Sequence, residues 1–122
     1  MRLSVVTINW NSRDDLTACL ESLVAQTYQD LEVIVVDNAS QDGSVELVRQ
    51  RFPQFTVLPQ TANLGFAEGC NVGIAACTGS WIALLNNDAV ADPRWAEALV
   101  LAANRVPENC GMLQSLMLYQ RT

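Results

Sequence analysis

The chain is short, moderately apolar and acidic, and these properties exclude several classes of protein. It has 122 residues, of which 50% are apolar and 16% are charged, with a net charge of −6; this length fits one domain or part of one, and the composition is that of a folded chain. The seven basic residues are all Arg and there is no His, so the basic face needed for nucleic-acid binding or for a membrane-surface helix is missing.

Short apolar runs rich in β-branched residues alternate along the chain with segments of helical periodicity. Each run is long enough for a buried strand and far shorter than the roughly 18 residues of a membrane span. The first run, LSVVTI, begins at Leu3, and the second, LEVIVV, ends directly before Asp37. The predicted strands are residues 3–8, 31–36, 55–58, 81–85 and 111–118.

Helix signals fill the intervals between these strands. Ser12 followed by Asp15 is a capping-box-like start, which predicts a helix to about residue 26. Apolar spacing from residue 45 to 52 predicts a second helix that Pro53 stops. Near the end of the chain, Asp92-Pro93 supplies a cap and a proline at the first helical position, and this helix runs to about Arg105.

The third helix is marked by glycines as well as by apolar residues. It opens at Asn63-Leu64-Gly65 and stops near Gly79, and Phe66, Cys70, Ile74 and Cys77 share one of its faces. Gly69 and Gly73 lie four residues apart, which puts them on a common side. Glycine disfavours a helix by up to about 1 kcal/mol relative to Ala. Two glycines on one side of a helix therefore indicate a role in packing or in binding, and close packing of the helix on a sheet is the favoured interpretation.

Strands that alternate with helices predict an α/β fold with a mostly parallel sheet and helices on both faces, in three layers. Ligands of such sheets bind beyond the carboxyl ends of the strands, where the strand order reverses. Polar side chains gather at those ends: Asn9 and Asn11, Asp37 and Asn38, and residues 86–88 (NND). The carboxyl edge of the sheet is therefore the predicted ligand site.

Two acidic positions after the second strand have different predicted purposes. Asp37 directly follows a run of apolar residues, and a carboxylate there is placed to accept a hydrogen bond from a ribose. Asp42-Gly43 is better explained as turn chemistry, because Asp and Gly both favour tight turns. The first strand is followed by NWNS rather than by a Gly-rich GxGxxG loop, which argues against an ordinary NAD site.

The polar triplet after the fourth strand has two explanations that the spacing does not separate. Asn86, Asn87 and Asp88 suit a hard divalent cation that takes its remaining ligands from water and phosphate. They also suit an ordinary turn at a strand end. Of the three tryptophans, Trp81 and Trp95 are predicted core or interface anchors, and Trp10 is the one placed near a ligand.

The four cysteines are predicted to be buried apolar side chains in a reducing cytoplasm. Cys19, Cys70, Cys77 and Cys110 form no CxxC pair, and the chain has no His. A Cys/His zinc site and a Cys–His nucleophile pair are therefore excluded.

Four blocks of the sequence resemble the N-terminal half of family 2 glycosyltransferases with the GT-A fold, particularly the rhamnosyltransferase-like bacterial members. They are SVVTINWN, EVIVVDNASQDGS, NLGFAEGCNVGI and ALLNNDA, and they occur in the family's order between residues 3 and 89. The resemblance implies a Rossmann-like GT-A sheet and a nucleotide-sugar donor with a UDP or dTDP carrier.

The resemblance also implies a role for individual residues. Thr7 and Asn9 would line the nucleoside pocket, and Asp37 would contact the nucleobase or ribose. Asp88 would ligate Mg²⁺ or Mn²⁺ at the diphosphate, although the family's DxD motif reads NND here and lacks its first carboxylate. The remaining nucleotide-sugar-binding positions are Asn63, Gly65, Asn71, Asn86 and Asn87.

The family's pattern continues beyond this length with acceptor-binding elements and a catalytic carboxylate. Residues 1–122 are therefore expected to form the donor-binding portion of a truncated GT-A domain, with the acceptor-binding half absent and the base beyond Thr122. The implied acceptor is a saccharide or a lipid-linked saccharide, used by an inverting enzyme of cell-envelope polysaccharide synthesis. Its expected location is the cytoplasm, in association with the inner face of the membrane, and exposed apolar surface favours a homo-oligomer.

Two other classes of protein share features of this sequence. A signalling receiver domain has a similar length and alternation, but it needs a phosphorylated Asp after the third strand and a Lys after the fifth, and this chain has neither. A non-catalytic nucleotide-binding or scaffold domain stays open as the alternative to an enzyme.

Overall fold

The computed structural model describes residues 1–108 and 111–112, which form a parallel sheet flanked by helices. The four strands stand in the order β3-β2-β1-β4. They are β1 (Leu3–Asn9), β2 (Leu31–Asp37), β3 (Thr56–Pro59) and β4 (Trp81–Leu84). The helices are α1 (Arg13–Val24), α2 (Ser44–Arg51), α3 (Gly65–Ala76) and α4 (Trp95–Arg105).

The two central strands are buried on both faces, which explains their continuous apolar sequences. Val5 pairs with Val33 and Asn9 pairs with Asp37 in the register of β1 and β2. On one face, Val5 and Val33 join a large cluster with α1, α2 and α4. On the other face, Val6 forms a smaller cluster with residues of β2 beneath α3. The predicted three-layer α/β architecture is confirmed.

The predicted elements up to residue 105 are all present, with shifted ends. Helix α1 ends at Val24, and Ser12 makes no side-chain cap, because its Oγ instead donates to the carbonyl of Trp10. Helix α4 begins at Trp95, two residues later than predicted, because Asp92 Oδ1 accepts the N–H of Arg94 and holds this segment in a turn. Residues 113–118 of the predicted fifth strand lie outside the described residues, and 111–112 are irregular.

Helix α3 contacts the sheet through its glycines. A Cβ at Gly73 would lie 2.4 Å from Val6 Cγ1, and one at Gly69 would lie 3.2 Å from Ile8 Cγ2. The contact line therefore runs through these two glycines, and the apolar face predicted from Phe66 to Cys77 is only partly buried, with Phe66 60% exposed. The close approach to β1 supports packing as the purpose of the glycine pair.

A row of hydrogen bonds joins the end of α1 and the residues directly after it to residues 91–96. Ser22 Oγ accepts the N–H of Ala91, and Gln26 Nε2 donates to the carbonyl of Asp92. Gln26 Oε1 accepts the N–H of Ala96. Both polar side chains are buried and both find partners, so they fix the path of the chain after β4 without an unpaired group.

Within residues 1–108 and 111–112, no helix combines the length and the apolar character needed to cross a membrane.

Candidate functional site

The candidate site lies at the carboxyl ends of β1 and β4, where the strand order of the sheet reverses. Strand β1 is flanked by β2 on one side and by β4 on the other, and all three run parallel. The loops that leave β1 and β4 therefore diverge at the carboxyl edge, and ligands of open α/β sheets bind in the crevice that this produces. The polar residues that follow these strands in the sequence meet at this edge.

Four of these polar residues form one hydrogen-bonded group, which we call the mouth network: Asn9, Asp37, Ser40 and Asn87. Asn9 Nδ2 donates to Asp37 Oδ1 at 3.0 Å and to Ser40 Oγ at 3.4 Å. Asn87 Nδ2 donates to Asn9 Oδ1 at 3.0 Å. The network thus connects the ends of β1, β2 and β4, as the sequence pattern predicted for this edge.

Asp37 is the charged member of the mouth network and is almost entirely enclosed. Its side chain is 1% exposed, and its Oδ2 accepts the backbone N–H of Ser40 at 2.8 Å. Each carboxylate oxygen carries two acceptor sites, so one bond to each oxygen leaves capacity for a further donor. Its position at the end of β2 agrees with the sequence analysis, while its burial was not anticipated.

The loops after β1 and β2 are joined by reciprocal hydrogen bonds. The N–H of Asn11 donates to Ser40 Oγ at 2.9 Å, and Asn11 Oδ1 accepts the N–H of Gln41 at 2.7 Å. Asn11 and Ala39 have positive φ values of 48° and 63°. The sequence analysis placed Asn11 at this edge without giving it a role, and it missed Ser40, for which the only signal was its place in a polar strand-end segment.

Asp42 has the turn role that the sequence analysis favoured. Its Oδ1 accepts the N–H of Ser44 at 3.1 Å, and its Oδ2 accepts the N–H of Arg13 at 3.0 Å. The carboxylate therefore serves the first turns of α2 and α1 together, where helices leave N–H groups unpaired.

The segment after β4 presents the residues suited to a cation. The carbonyl of Asn86 accepts the N–H of Ala89 at 3.0 Å, which closes a turn with Asn87 and Asp88 at its corners. Asn86 and Asp88 are exposed. Within the described part of the chain, no cluster of three or more His, Cys, Asp or Glu residues could hold a metal.

The donors of this turn fit one kind of metal site. A single carboxylate and an amide oxygen are hard ligands of the type that Mg²⁺ and Mn²⁺ accept. Two protein ligands do not complete the coordination of a divalent cation, so the cation would take its remaining ligands from phosphate and water.

Thr7 lies in the interior and not at the open edge. It is fully buried near Cys19 of α1. Burial raises the pKa of the Cys19 thiol to about 11, and the negative charge of Asp88 adds to this, while the Thr7 hydroxyl opposes it. Cys19, Cys70 and Cys77 are free thiols, and the first two are buried, as predicted; Cys110 lies outside the described residues.

The start of α3 borders the same edge. Gly65 has φ +82°, its N–H donates to Asn63 Oδ1 at 2.9 Å, and its carbonyl accepts from Asn38 Nδ2 at 3.2 Å. The structure therefore brings Asn63 and Gly65 next to the end of β2. Asn71 is exposed further along α3, and no hydrogen bond among the described residues links it to the mouth network. Trp10 is 54% exposed beside this edge.

Curated relatives of the chain are glycosyltransferases. The chain is 35% identical over 105 residues to the "uncharacterized glycosyltransferase YibD" of Escherichia coli (strain K12), which covers 84% of the chain and 30% of that protein. It is 31% identical over 116 residues to the N-acetylglucosaminyl-diphospho-decaprenol L-rhamnosyltransferase of Mycobacterium tuberculosis, covering 86% of the chain and 38% of that protein. The chain thus spans about a third of the length of these relatives.

Solved structures share the fold. A mannosyltransferase from Pyrobaculum calidifontis in complex with GDP-Man and Mn²⁺ superimposes with a TM-score of 0.78 at 27% identity, over 87% of the chain and 33% of that protein. TarS residues 1–349 of S. aureus in complex with UDP-GlcNAc gives a TM-score of 0.79 at 22% identity, over 94% of the chain and 38% of that structure. The family model for glycosyl transferase family 2 matches residues 4–114, and the chain belongs to this family.

Proposed function

We propose that residues 1–122 bind the donor of a glycosyltransferase that moves a sugar from a UDP- or dTDP-sugar to a saccharide or a lipid-linked acceptor. The reaction would invert the anomeric carbon and serve cell-envelope polysaccharide synthesis in the cytoplasm. The rhamnosyltransferase relative supports an acceptor of this class, because its name specifies a lipid diphosphate sugar. The neighbours solved with GDP-Man and UDP-GlcNAc support a nucleotide-sugar donor.

One observation carries the proposal. A buried carboxylate, Asp37, and an exposed one, Asp88, stand at the ends of strands on opposite sides of β1. Asn9 links Asp37 by hydrogen bonds to Asn87, the residue directly before Asp88. A ligand with a nucleoside at one end and a charged diphosphate next to it matches this pair of chemically different groups at one edge of the sheet.

For the nucleoside side, we propose that Asp37 accepts a hydrogen bond from the base or ribose through its remaining acceptor capacity. Asn63 and Gly65 would form the neighbouring wall at the start of α3, with Asn71 beyond them. Asn9 already bonds to Asp37 and Asn87 through the two polar atoms of its amide, and Thr7 lies beside Cys19 of α1, so we assign both to the support of this pocket and not to direct contact.

For the diphosphate side, we propose that Asp88, with the amide oxygen of Asn86, would hold Mg²⁺ or Mn²⁺. A divalent cation there supplies positive charge against the diphosphate, which an acidic chain of net charge −6 otherwise repels. The neighbour solved with Mn²⁺ supports this choice of metal.

The proposal is tested by calorimetric titration of UDP, dTDP and GDP into the protein, once with Mn²⁺ and once with EDTA. We expect Mn²⁺ to tighten binding of at least one of the three, and Asp88→Ala to remove most of that tightening. Asp37→Ala should weaken binding under both conditions, because losing a buried hydrogen-bond partner removes about 1–3 kcal/mol.

Asp30→Ala is the matched control for these titrations. Asp30 precedes β2, at the opposite edge of the sheet, and its side chain is half exposed. Its loss should leave both affinities unchanged. Equal nucleotide affinity with and without Mn²⁺ would refute the role of Asp88, and no binding of any of the three nucleotides would refute the donor site.

A further inference from the structure

The hydrogen bonds of Asn9 have a fixed direction across three strands. Its Nδ2 donates to Asp37 Oδ1, and its Oδ1 accepts from Asn87 Nδ2, both at 3.0 Å. A carboxylate only accepts hydrogen bonds, so the amide nitrogen of Asn9 has to face Asp37. The amide oxygen must then face β4, and residue 87 must supply a donor.

This direction explains an amide at position 87 in preference to a carboxylate. An Asp side chain has the same shape but would place an acceptor against Asn9 Oδ1. Turning the Asn9 amide over would relieve that contact only by placing an acceptor against Asp37. Asn9 is 0% exposed, so water does not relieve the mismatch, and an unpaired buried polar group is unfavourable by about 1–3 kcal/mol.

The same bond fixes the turn that carries Asp88. Asn87 and Asp88 occupy adjacent corners of the turn that Asn86 and Ala89 close. Asn87 is half-buried and points to Asn9, whereas Asp88 is exposed. Asn9 in turn contacts Asp37. A single buried amide thus sets the relative position of the two carboxylates.

We propose that Asn9 and Asn87 are positioning residues, which hold the turn of residues 86–89 against the end of β1 so that Asp88 meets the diphosphate of a nucleotide whose nucleoside lies beside Asp37. This role rests on the proposed donor site. It predicts that the two residues differ in their effects: Asn87 acts on the metal side alone, and Asn9 acts on both sides.

The test uses the nucleotide among UDP, dTDP and GDP that the wild-type protein binds most tightly. The quantity measured is the factor by which Mn²⁺ tightens binding relative to EDTA. We expect Asn87→Ala to reduce this factor about three- to tenfold, which corresponds to one net hydrogen bond. Asn9→Ala should reduce the factor similarly and should also weaken binding in EDTA. If Asn87→Ala does not fold, the milder substitution Asn87→Ser replaces it in this test.

Gln26→Ala is the matched control for a merely structural effect. Gln26 is also a buried amide that bridges separate segments, but it bonds to Asp92 and Ala96 around the start of α4 and to no residue of the mouth network. Its loss should lower the thermal midpoint to a similar extent and leave the Mn²⁺ factor unchanged.

The direction of the bonds has its own test. Asn87→Asp should lower the thermal midpoint at least as much as Asn87→Ala, because it sets one acceptor against another. A wild-type midpoint for Asn87→Asp, or an unchanged Mn²⁺ factor in Asn87→Ala and Asn87→Ser, overturns the positioning role and leaves the donor site standing. A wild-type protein that binds no nucleotide overturns both.

Discussion

Asp42 Oδ2 accepts the backbone N–H of Arg13 at 3.0 Å across 29 residues of sequence. The same carboxylate accepts the N–H of Ser44 through its other oxygen. One side chain thus serves the first turns of two helices, whose N-terminal N–H groups otherwise lack partners. This contact holds the loops after β1 and β2 together.

Replacing Asp42 should destabilise the protein in a pH-dependent way. Partial burial by itself raises the pKa of Asp42, but hydrogen bonds from Ser44 and Arg13 outweigh it and hold the pKa below its usual value of 3.8. A carboxyl whose pKa is depressed in the folded state stabilises it above the unfolded pKa and loses that contribution as the pH falls through the folded value. Asn has one acceptor oxygen where Asp42 uses two, so we expect Asp42→Asn to lower the free energy of unfolding by about 1 kcal/mol at pH 7.

Thermal unfolding from about pH 7 to pH 2 measures this effect. The difference between wild type and Asp42→Asn should shrink as the pH falls below the usual pKa of an Asp. Glu108→Gln removes an exposed carboxylate near the end of the described chain and should leave the unfolding curves unchanged. A difference that stays constant down to pH 2 would contradict the capping role.

Gly73→Ala should destabilise the contact between α3 and the sheet. The added methyl would lie 2.4 Å from Val6 Cγ1 and 3.1 Å from Val36 Cγ2. Both valines are fully buried β-branched residues whose side chains have few alternative rotamers. Overpacking of this kind lowers the free energy of unfolding by about 1–3 kcal/mol, which denaturant titration measures.

Gly69→Ala is the comparison for that variant. Its methyl would meet Ile8 Cγ2 at 3.2 Å, a contact that needs only a small shift, and the gain in helix propensity of up to about 1 kcal/mol offsets it. The double variant Val6→Ala with Gly73→Ala should recover part of the loss. Equal stability of the two glycine variants would show that α3 does not pack as closely as described.

Ala39→Gly should stabilise the loop after β2. Ala39 has φ +63°, a left-handed conformation that is unfavourable by about 1–2 kcal/mol for an L-residue with a Cβ. Glycine removes this strain but loses about 0.5–1 kcal/mol through the greater freedom of its unfolded chain. We expect a net gain of up to about 1 kcal/mol in chemical denaturation. Ala25→Gly, at φ −81°, should be destabilising, and a loss of stability in both variants would contradict the prediction.

The exposed apolar side chains of β4 should drive self-association. Ile82 and Leu84 are 40% and 51% exposed on the strand face away from the main core, and among the described strands β4 pairs with β1 alone. An open edge with apolar side chains is a site for intermolecular pairing. Sedimentation velocity should show concentration-dependent association that Leu84→Lys reduces. Met112→Lys, an equally apolar but irregular position, is the control, and a monomer at all concentrations would refute the prediction.

The sequence alone predicted the layout of the fold because burial on both faces demands continuous apolar strands. LSVVTI and LEVIVV show neither the spacing of apolar residues typical of an amphipathic helix nor the alternation typical of a strand with one exposed face. The same reasoning placed Asn9, Asp37 and Asn87 at one edge, since parallel strands end together. Helix ends were predicted less well. Asp42 accepts the N–H of Arg13 at the start of α1 from 29 residues away, and Asp92 holds Arg94 in a turn so that α4 begins after Pro93.

The tertiary structure decided which of those polar residues touch one another and which face water. Asn9 lies 28 residues from Asp37 and 78 from Asn87 in sequence, and only the strand order β2-β1-β4 makes it their shared neighbour. Side chains alternate between the faces of a strand, so Thr7 and Asn9 share one face of β1, and both are buried there, which the resemblance to the family did not predict. The residue types of the site were therefore readable from the sequence, whereas their burial and the direction of their hydrogen bonds depend on contacts between distant segments.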